Sequence, residues 1–172
     1  WQAQRLDDTV RYGQQAVAML TEAAERSRVW GILAAAHEAR GESPQAIQAL
    51  QQCAAGDPPE QPPTAGPQAE VCLMRAALLQ AQAGKAPQTL AAYERLLQMF
   101  PNSSRKEASL FRIADVHRQR GEKAQMLATF ARLRDNTSET FWQKVATEYL
   151  EQAQWQERLQ ERLAAFQNSF MR

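Results

Sequence analysis

Trp30-Gly-Ile-Leu-Ala34-Ala-Ala-His37-Glu-Ala-Arg-Gly41 is the stretch on which the fold turns, because its spacing returns twice further along the chain. Eleven residues before Gly41, Gly84 and Gly121 stands a bulky apolar residue: Trp30, Leu73, Leu110. Seven before each stands a small one: Ala34, Ala77, Ala114. Nine after each comes a large one: Leu50, Tyr93, Phe130. Pro44 and Pro87 follow the first two glycines by three residues, Pro58 and Pro101 by seventeen. A fixed internal period marks stacked helical repeats. The small residues let paired helices approach closely and the large ones fill the space left. No single pair can bury its apolar face alone, so stacking is obligatory.

Working outward, Asp7 to Glu25 reads as one amphipathic helix with Val10, Ala16, Leu20 and Ala23 or Ala24 on its apolar face. Ser27 is the only candidate cap before the next helix, and one longer continuous helix is the alternative. Repeat one is then expected as Arg28–Arg40, closed by a left-handed Gly41, and a second helix to Ala55 with Ser43 as cap and Pro44 in its first turn. Residues 56–67 hold five of the eight prolines, so they are expected to be an exposed, non-helical loop. Repeat two is expected at Ala69–Ala83 and Pro87–Met99, repeat three at Ser104–Arg120 and Lys123–Arg134. Asp135-Asn136-Thr137-Ser138 reads as a turn and cap. A last pair, Glu139–Gln152 and Gln154–Phe170, would cap the stack with Leu159, Leu163, Phe166 and Phe170 on its final helix.

The expected organisation is one repeat domain over 1–172: a partial repeat at 1–26, repeat one at 27–58, the Pro-rich loop at 59–69, repeat two at 70–103, repeat three at 104–138, and a degenerate repeat with capping helix at 139–172. Trp1 opening directly into helix-like sequence suggests a piece of a longer protein. The chain is 44% hydrophobic with a net charge of +1, which gives no global pull toward nucleic acid or anionic lipid. No apolar run approaches the roughly 18 residues of a membrane span, so direct membrane insertion is not expected.

The offsets resemble the tetratricopeptide repeat. That family places Trp-x-x-Leu-Gly-x-x-Tyr on a first helix, Gly at the turn, Ala and an aromatic on a second helix, and Pro in the connector. Here Trp30, Leu33, Ala34, Gly41, Ala46, Leu50 and Pro58 match, with His37 in the Tyr place. Leu73, Ala77, Gly84, Tyr93 and Pro101 match, whereas Gln80 and Thr89 depart. Leu110, Ile113, Ala114, Gly121 and Phe130 match, with His117 and Met126 departing. Trp142, Val145, Ala146 and Tyr149 match a fourth first helix. The resemblance covers about Ser27 to Tyr149. It implies an all-α, right-handed superhelix of antiparallel helix pairs, with a concave groove lined by the first helices.

Enzymatic chemistry has little to stand on. His37 and His117 share one repeat position, so one structural role explains both. No Ser/His/Asp grouping, phosphate loop or metal-spaced cluster appears, and neither a cofactor nor a metal is expected. Nucleic-acid binding is a minor alternative, since no basic run is interleaved with stacking aromatics. The main expectation is a non-catalytic scaffold for a protein or peptide segment. Two residues after each bulky first-helix position stand Ile32, Arg75, Arg112 and Lys144, a place that the resemblance turns into the groove. Arg75, Arg112 and Lys144 would form a basic ladder, with Arg118, Gln82 and Asp115 nearby. Arginine pairs well with carboxylates, so an acidic segment is the expected partner. The plain alternative is a solvated face with internal ion pairs, for instance through Asp115. A chaperone-tail clamp is disfavoured, because Gly31, Ala35, Met74, Leu78 and Phe111 occupy the region where that subfamily carries Asn. A further alternative is self-association into a homo-oligomer through the Phe and Leu face of the last helix.

Cys53 and Cys72 match no zinc or redox motif. They read either as two small buried residues or as a disulfide across the Pro-rich loop. A disulfide would imply an oxidising compartment. The Gln- and Ala-rich style is similar to bacterial envelope-associated repeat proteins, which favours periplasm or cell envelope over cytoplasm.

Overall fold

A computed structural model of the 172-residue chain describes residues 2–55 and 67–170. Residues 56–66 of the expected loop, with Pro58, and the side chain of Phe170 lie outside the described residues; the expected end of that loop, Pro67 to Ala69, is instead the first turn of a helix, where a proline's missing N–H costs no bond. Among those described, the chain is all helix: α1 (Gln2–Met19), α2 (Ala23–Ala39), α3 (Ser43–Ala55), α4 (Pro67–Gln82), α5 (Ala86–Met99), α6 (Lys106–Gln119), α7 (Lys123–Asn136) and α8 (Thr140–Phe170). They form two compact units, Trp1–Ser103 and Ser104–Arg172.

In the first unit each helix packs on the next in the chain, and α2 also meets α4. Ala34, Ala77, Leu50 and Tyr93 are all fully buried, as the spacing of small and large positions predicts. The break before α2 falls earlier than the sequence suggests, at Leu20–Glu22. Glu22 is extended (φ −80, ψ 128), and the Arg26 guanidinium donates to the Leu20 carbonyl at 3.2 Å, which satisfies an acceptor at the end of α1. Ser27 is therefore not a cap. It lies inside α2 and donates its hydroxyl to the Cys53 carbonyl of α3 at 2.8 Å. Ser43 is likewise the first helical residue rather than the cap, since the Glu42 carbonyl already accepts from the Ala46 N–H at 3.0 Å. Cys53 and Cys72, both buried, are joined by a disulfide that ties α3 to α4 with Cα atoms 6.0 Å apart.

Gly41, Gly84 and Gly121 all adopt positive φ (72°, 68° and 73°). At each turn the residue after the glycine donates its N–H to a carbonyl five residues back: Glu42 to His37, Lys85 to Gln80, Glu122 to His117, each at 2.9 Å. The glycine N–H bonds the carbonyl three residues back. This double closure satisfies carbonyls that the helix end leaves free, and the left-handed residue it requires is cheap only for glycine.

In the second unit α6, α7 and α8 pack in chain order. Leu110, Ile113, Ala114, Phe130, Leu133 and Ala146 are buried. The Phe130 ring stacks on Tyr149 at 4.3 Å and 10°, and Phe111 meets Phe130, Trp142 and Tyr149 at about 6 Å. Helix α7 continues through Asp135 and Asn136, so the cap falls on Thr137. That residue is extended, its hydroxyl accepts from the Glu139 N–H at 3.1 Å and its carbonyl accepts from the Gln143 amide at 2.9 Å.

The expected last pair of helices is a single helix, α8, of 31 residues. Nothing between Thr140 and Phe170 breaks it: there is no Gly or Pro, and Gln, Ala, Glu, Arg and Leu predominate. Ala153, at the expected break, is buried within the helix. The start of α7 reaches α8 through a Lys123–Glu157 ion pair at 2.8 Å. On this part of α8 Trp155, Leu159, Leu163 and Phe166 are exposed.

Candidate functional site

The basic residues singled out above occupy first helices: Arg75 on α4, Arg112 and Arg118 on α6, Lys144 on α8. Their surroundings differ. In the first unit Arg75 forms an ion pair with Glu38 of α2 at 2.8 Å, so this cation is answered from the preceding first helix. Ile32 and Leu78 are exposed on the same two helices, and Gln82 ends α4 with an exposed side chain.

In the second unit Arg118 clasps Asp115 one turn back, at 2.6 Å through Nη2 and 3.1 Å through Nε. The carboxylate holds the guanidinium above its ordinary pKa range, chiefly through this hydrogen bond. Gln119 donates to the other Asp115 oxygen at 2.9 Å. Arg112 and Lys144 are both exposed and have no acidic partner among the described residues. The internal ion pairing weighed as the plain alternative thus holds for Arg75 and Arg118. It does not hold for Arg112 and Lys144.

The histidines have a partner that the sequence reading passed over. His37 Nδ1 lies 2.6 Å from Glu42 Oε2, and His117 Nδ1 lies 2.7 Å from Glu122 Oε2. Each glutamate also takes an arginine on its other oxygen, Arg40 at 2.8 Å and Arg120 at 2.6 Å. The hydrogen bond from the histidine, helped by the arginine, holds both carboxyls below the ordinary glutamate range. The signal was available as His-x-x-Arg-Gly-Glu at 37–42 and again at 117–122. It is a turn clamp: the glutamate just past the glycine is tied back to the last turn of the helix before it. Repeat two has Gln80, Ala83 and Lys85 at the same places. No group of three His, Cys, Asp or Glu suited to a metal ion occurs among the described residues, and no helix there is long and apolar enough to cross a membrane.

Antiparallel helix pairs that repeat around a left-handed glycine, with small residues at the contact and aromatics behind them, define a helical-repeat protein. A family profile for the tetratricopeptide repeat matches residues 71–103 and 108–136. The chain is similar to a solved structure from Podosopora anserina described as nearly identical TPR-like repeats of a kinesin light chain. The identity is 18%, with 99% of this chain and 93% of that one covered and a TM-score of 0.61. A second solved form of the same repeats, carrying a substitution, matches at a TM-score of 0.60, also with 18% identity, 99% of this chain and 93% of that one covered. No curated protein matches. The chain thus carries tetratricopeptide repeats at residues 71–103 and 108–136, within a TPR-like helical-repeat fold. Repeats of this family generally mediate protein–protein interaction or scaffolding.

Proposed function

We propose that the chain is a non-catalytic scaffold that holds an extended, acidic protein segment against its first helices. In the second unit Arg112 and Lys144 are the anchors. The observation that carries this reading is their exposure without an acidic partner among the described residues, beside an Arg118 whose charge is already answered by Asp115. Two exposed cations repel one another, if weakly through solvent and salt, so a multivalent acidic ligand is the chemistry that answers both. In the first unit Arg75 and Gln82 serve the same role. There a ligand carboxylate competes with Glu38 for the Arg75 guanidinium, and Ile32 and Leu78 add apolar contact. The Cys53–Cys72 bridge supports an oxidising setting such as the periplasm or cell envelope.

The test is a fluorescence titration of the chain with a set of Asp- and Glu-rich peptides and neutral counterparts of the same length. Acidic peptides are expected to bind preferentially, more weakly as salt rises. Arg112→Ala with Lys144→Ala is expected to remove most of that preference while helix content is kept. Equal binding by the variant would overturn the assignment of these two anchors.

A further inference from the structure

Helix α8 carries an exposed apolar stripe from Trp155 onward, with Phe141 in line near its start and the polar Glu148 and Gln152 between them. At about 100° per residue, Phe141, Trp155, Leu159 and Leu163 fall in one sector of about 80°. Their exposures are 65%, 58%, 40% and 53%. Large apolar residues exposed in line on one helix face mark an interaction surface. The flanks of this stripe are not alike. One flank bears Glu151, Arg158 and Arg162, with Glu148 on the stripe beside it. The other bears Gln156 and Gln160. Glu148, Glu151, Arg158 and Arg162 are all exposed and have no oppositely charged partner among the described residues. Around Trp155 the surface forms a shallow concavity lined by Glu148, Glu151, Gln152, Gln154, Trp155 and Arg158.

We infer that a second copy of this chain docks on the stripe, α8 against α8, antiparallel about a two-fold axis beside Trp155. Charge complementarity selects both occupant and direction. In an antiparallel isologous contact the same flank of each helix meets its own copy. Glu151 then faces Arg158 of the partner subunit, and Glu148 faces Arg162 of the partner subunit. One register satisfies both pairs, because the two pairs of residue numbers share nearly the same midpoint. A parallel contact would set the charged flank against the glutamine flank and leave all four charges unanswered. The concavity at Trp155 receives Trp155 of the partner subunit at the axis. Lys144 borders the stripe, so a docked second copy and the acidic segment proposed above exclude one another there by crowding. The self-association does not rest on the peptide-binding reading, since Arg112 and Lys144 take no part in its charge pairs.

The test is sedimentation equilibrium of the full 172-residue chain over a dilution series. The native chain is expected to dimerise reversibly. Leu159→Glu with Leu163→Glu is expected to be monomeric with unchanged helix content. Two further variants fix the direction: Arg158→Glu with Arg162→Glu, and Glu148→Arg with Glu151→Arg. Each alone sets like charges opposite one another and is expected to be monomeric, and mixing the two is expected to restore a dimer at least tenfold tighter than either alone. A native chain that stays monomeric throughout the series overturns the proposal, as does a dimer indifferent to the charge variants or one that the mixture fails to rescue.

Discussion

The imidazole Nδ1 of His117 lies 2.7 Å from Oε2 of Glu122, across the turn that joins α6 to α7. The same pair, His37 and Glu42 at 2.6 Å, closes the turn between α2 and α3. Each glutamate stands one residue past a left-handed glycine, where the chain has just reversed. The side-chain bond therefore reinforces the backbone bond that the same glutamate N–H makes to the same histidine's carbonyl. Conformation and charge act together at one point of these two repeats.

A pH dependence follows from these pairs. Both carboxyls titrate lower in the folded chain than in an unfolded one, so the folded state binds fewer protons over that interval. Their contribution to stability is complete above the unfolded value of about 4.3 and is lost as pH falls through the lower folded value. Glu42→Gln with Glu122→Gln is expected to lower the melting temperature at neutral pH, by an amount that shrinks steadily under acid. Melting curves from neutral pH down to about 2 units below that value check this. A deficit that stays constant under acid would contradict it.

Repeat two offers the converse experiment. Gln80 is buried with its Oε1 lacking a hydrogen-bond partner among the described residues, and Lys85 replaces the glutamate. Gln80→His with Lys85→Glu rebuilds the histidine–glutamate bond of the clamp, without its arginine, and removes an unsatisfied acceptor. A gain of about 1 kcal/mol is expected, read as a higher urea midpoint with unchanged slope. A loss would show that the turn of repeat two is shaped differently from its neighbours.

Gly121→Ala isolates backbone strain. A Cβ there would meet nothing within 4 Å, yet φ is 73°. The expected cost is about 1–2 kcal/mol, all of it conformational. Gly13→Ala is the contrast. It sits in α1 without a positive φ, but its Cβ would come within 2.7 Å of the buried Leu33 side chain. Helix propensity favours this alanine and packing opposes it, so destabilisation is expected. Urea unfolding of both variants separates the two causes.

The Cys53–Cys72 bridge closes a loop across a sequence separation of 19. Loops near that length stabilise by about 3 kcal/mol. Cys53→Ser with Cys72→Ser is expected to cost about that much, with the loss confined to the first unit. Hydrogen exchange resolves it: amides of α3 and α4 should open sooner while those of α6 and α7 are unchanged. Thiol titration of the denatured, unreduced native chain should find no free thiol.

Most of the helical framework was legible from local chemistry. Glycine past a helix end, proline in a first turn and alanine at the close contact each act within a few residues, and the chain repeats them. The misplaced boundaries were those without such marks. Between α1 and α2 no Gly or Pro stands, and the end of α1 is set by Arg26 reaching back to Leu20. Ser27 has the chemistry of a cap, but Cys53 of α3 claims its hydroxyl. In α8 the expected break had nothing to break it. The basic positions could be read as a list, but which of them are neutralised could not, because Glu38 lies 37 residues from Arg75.

By itself, then, the sequence determined the repeat, the turns and the residues at each helix contact, because periodicity and glycine chemistry are local. Tertiary structure alone decided which charges are spent and which stay open. It brings Arg75 to Glu38, leaves Arg112 and Lys144 exposed, and sets Phe141 and Trp155 on one open face of a helix longer than its sequence announced. Pairing and exposure depend on what lies across space, and spacing along a chain carries that information only where the repeat itself supplies the neighbour.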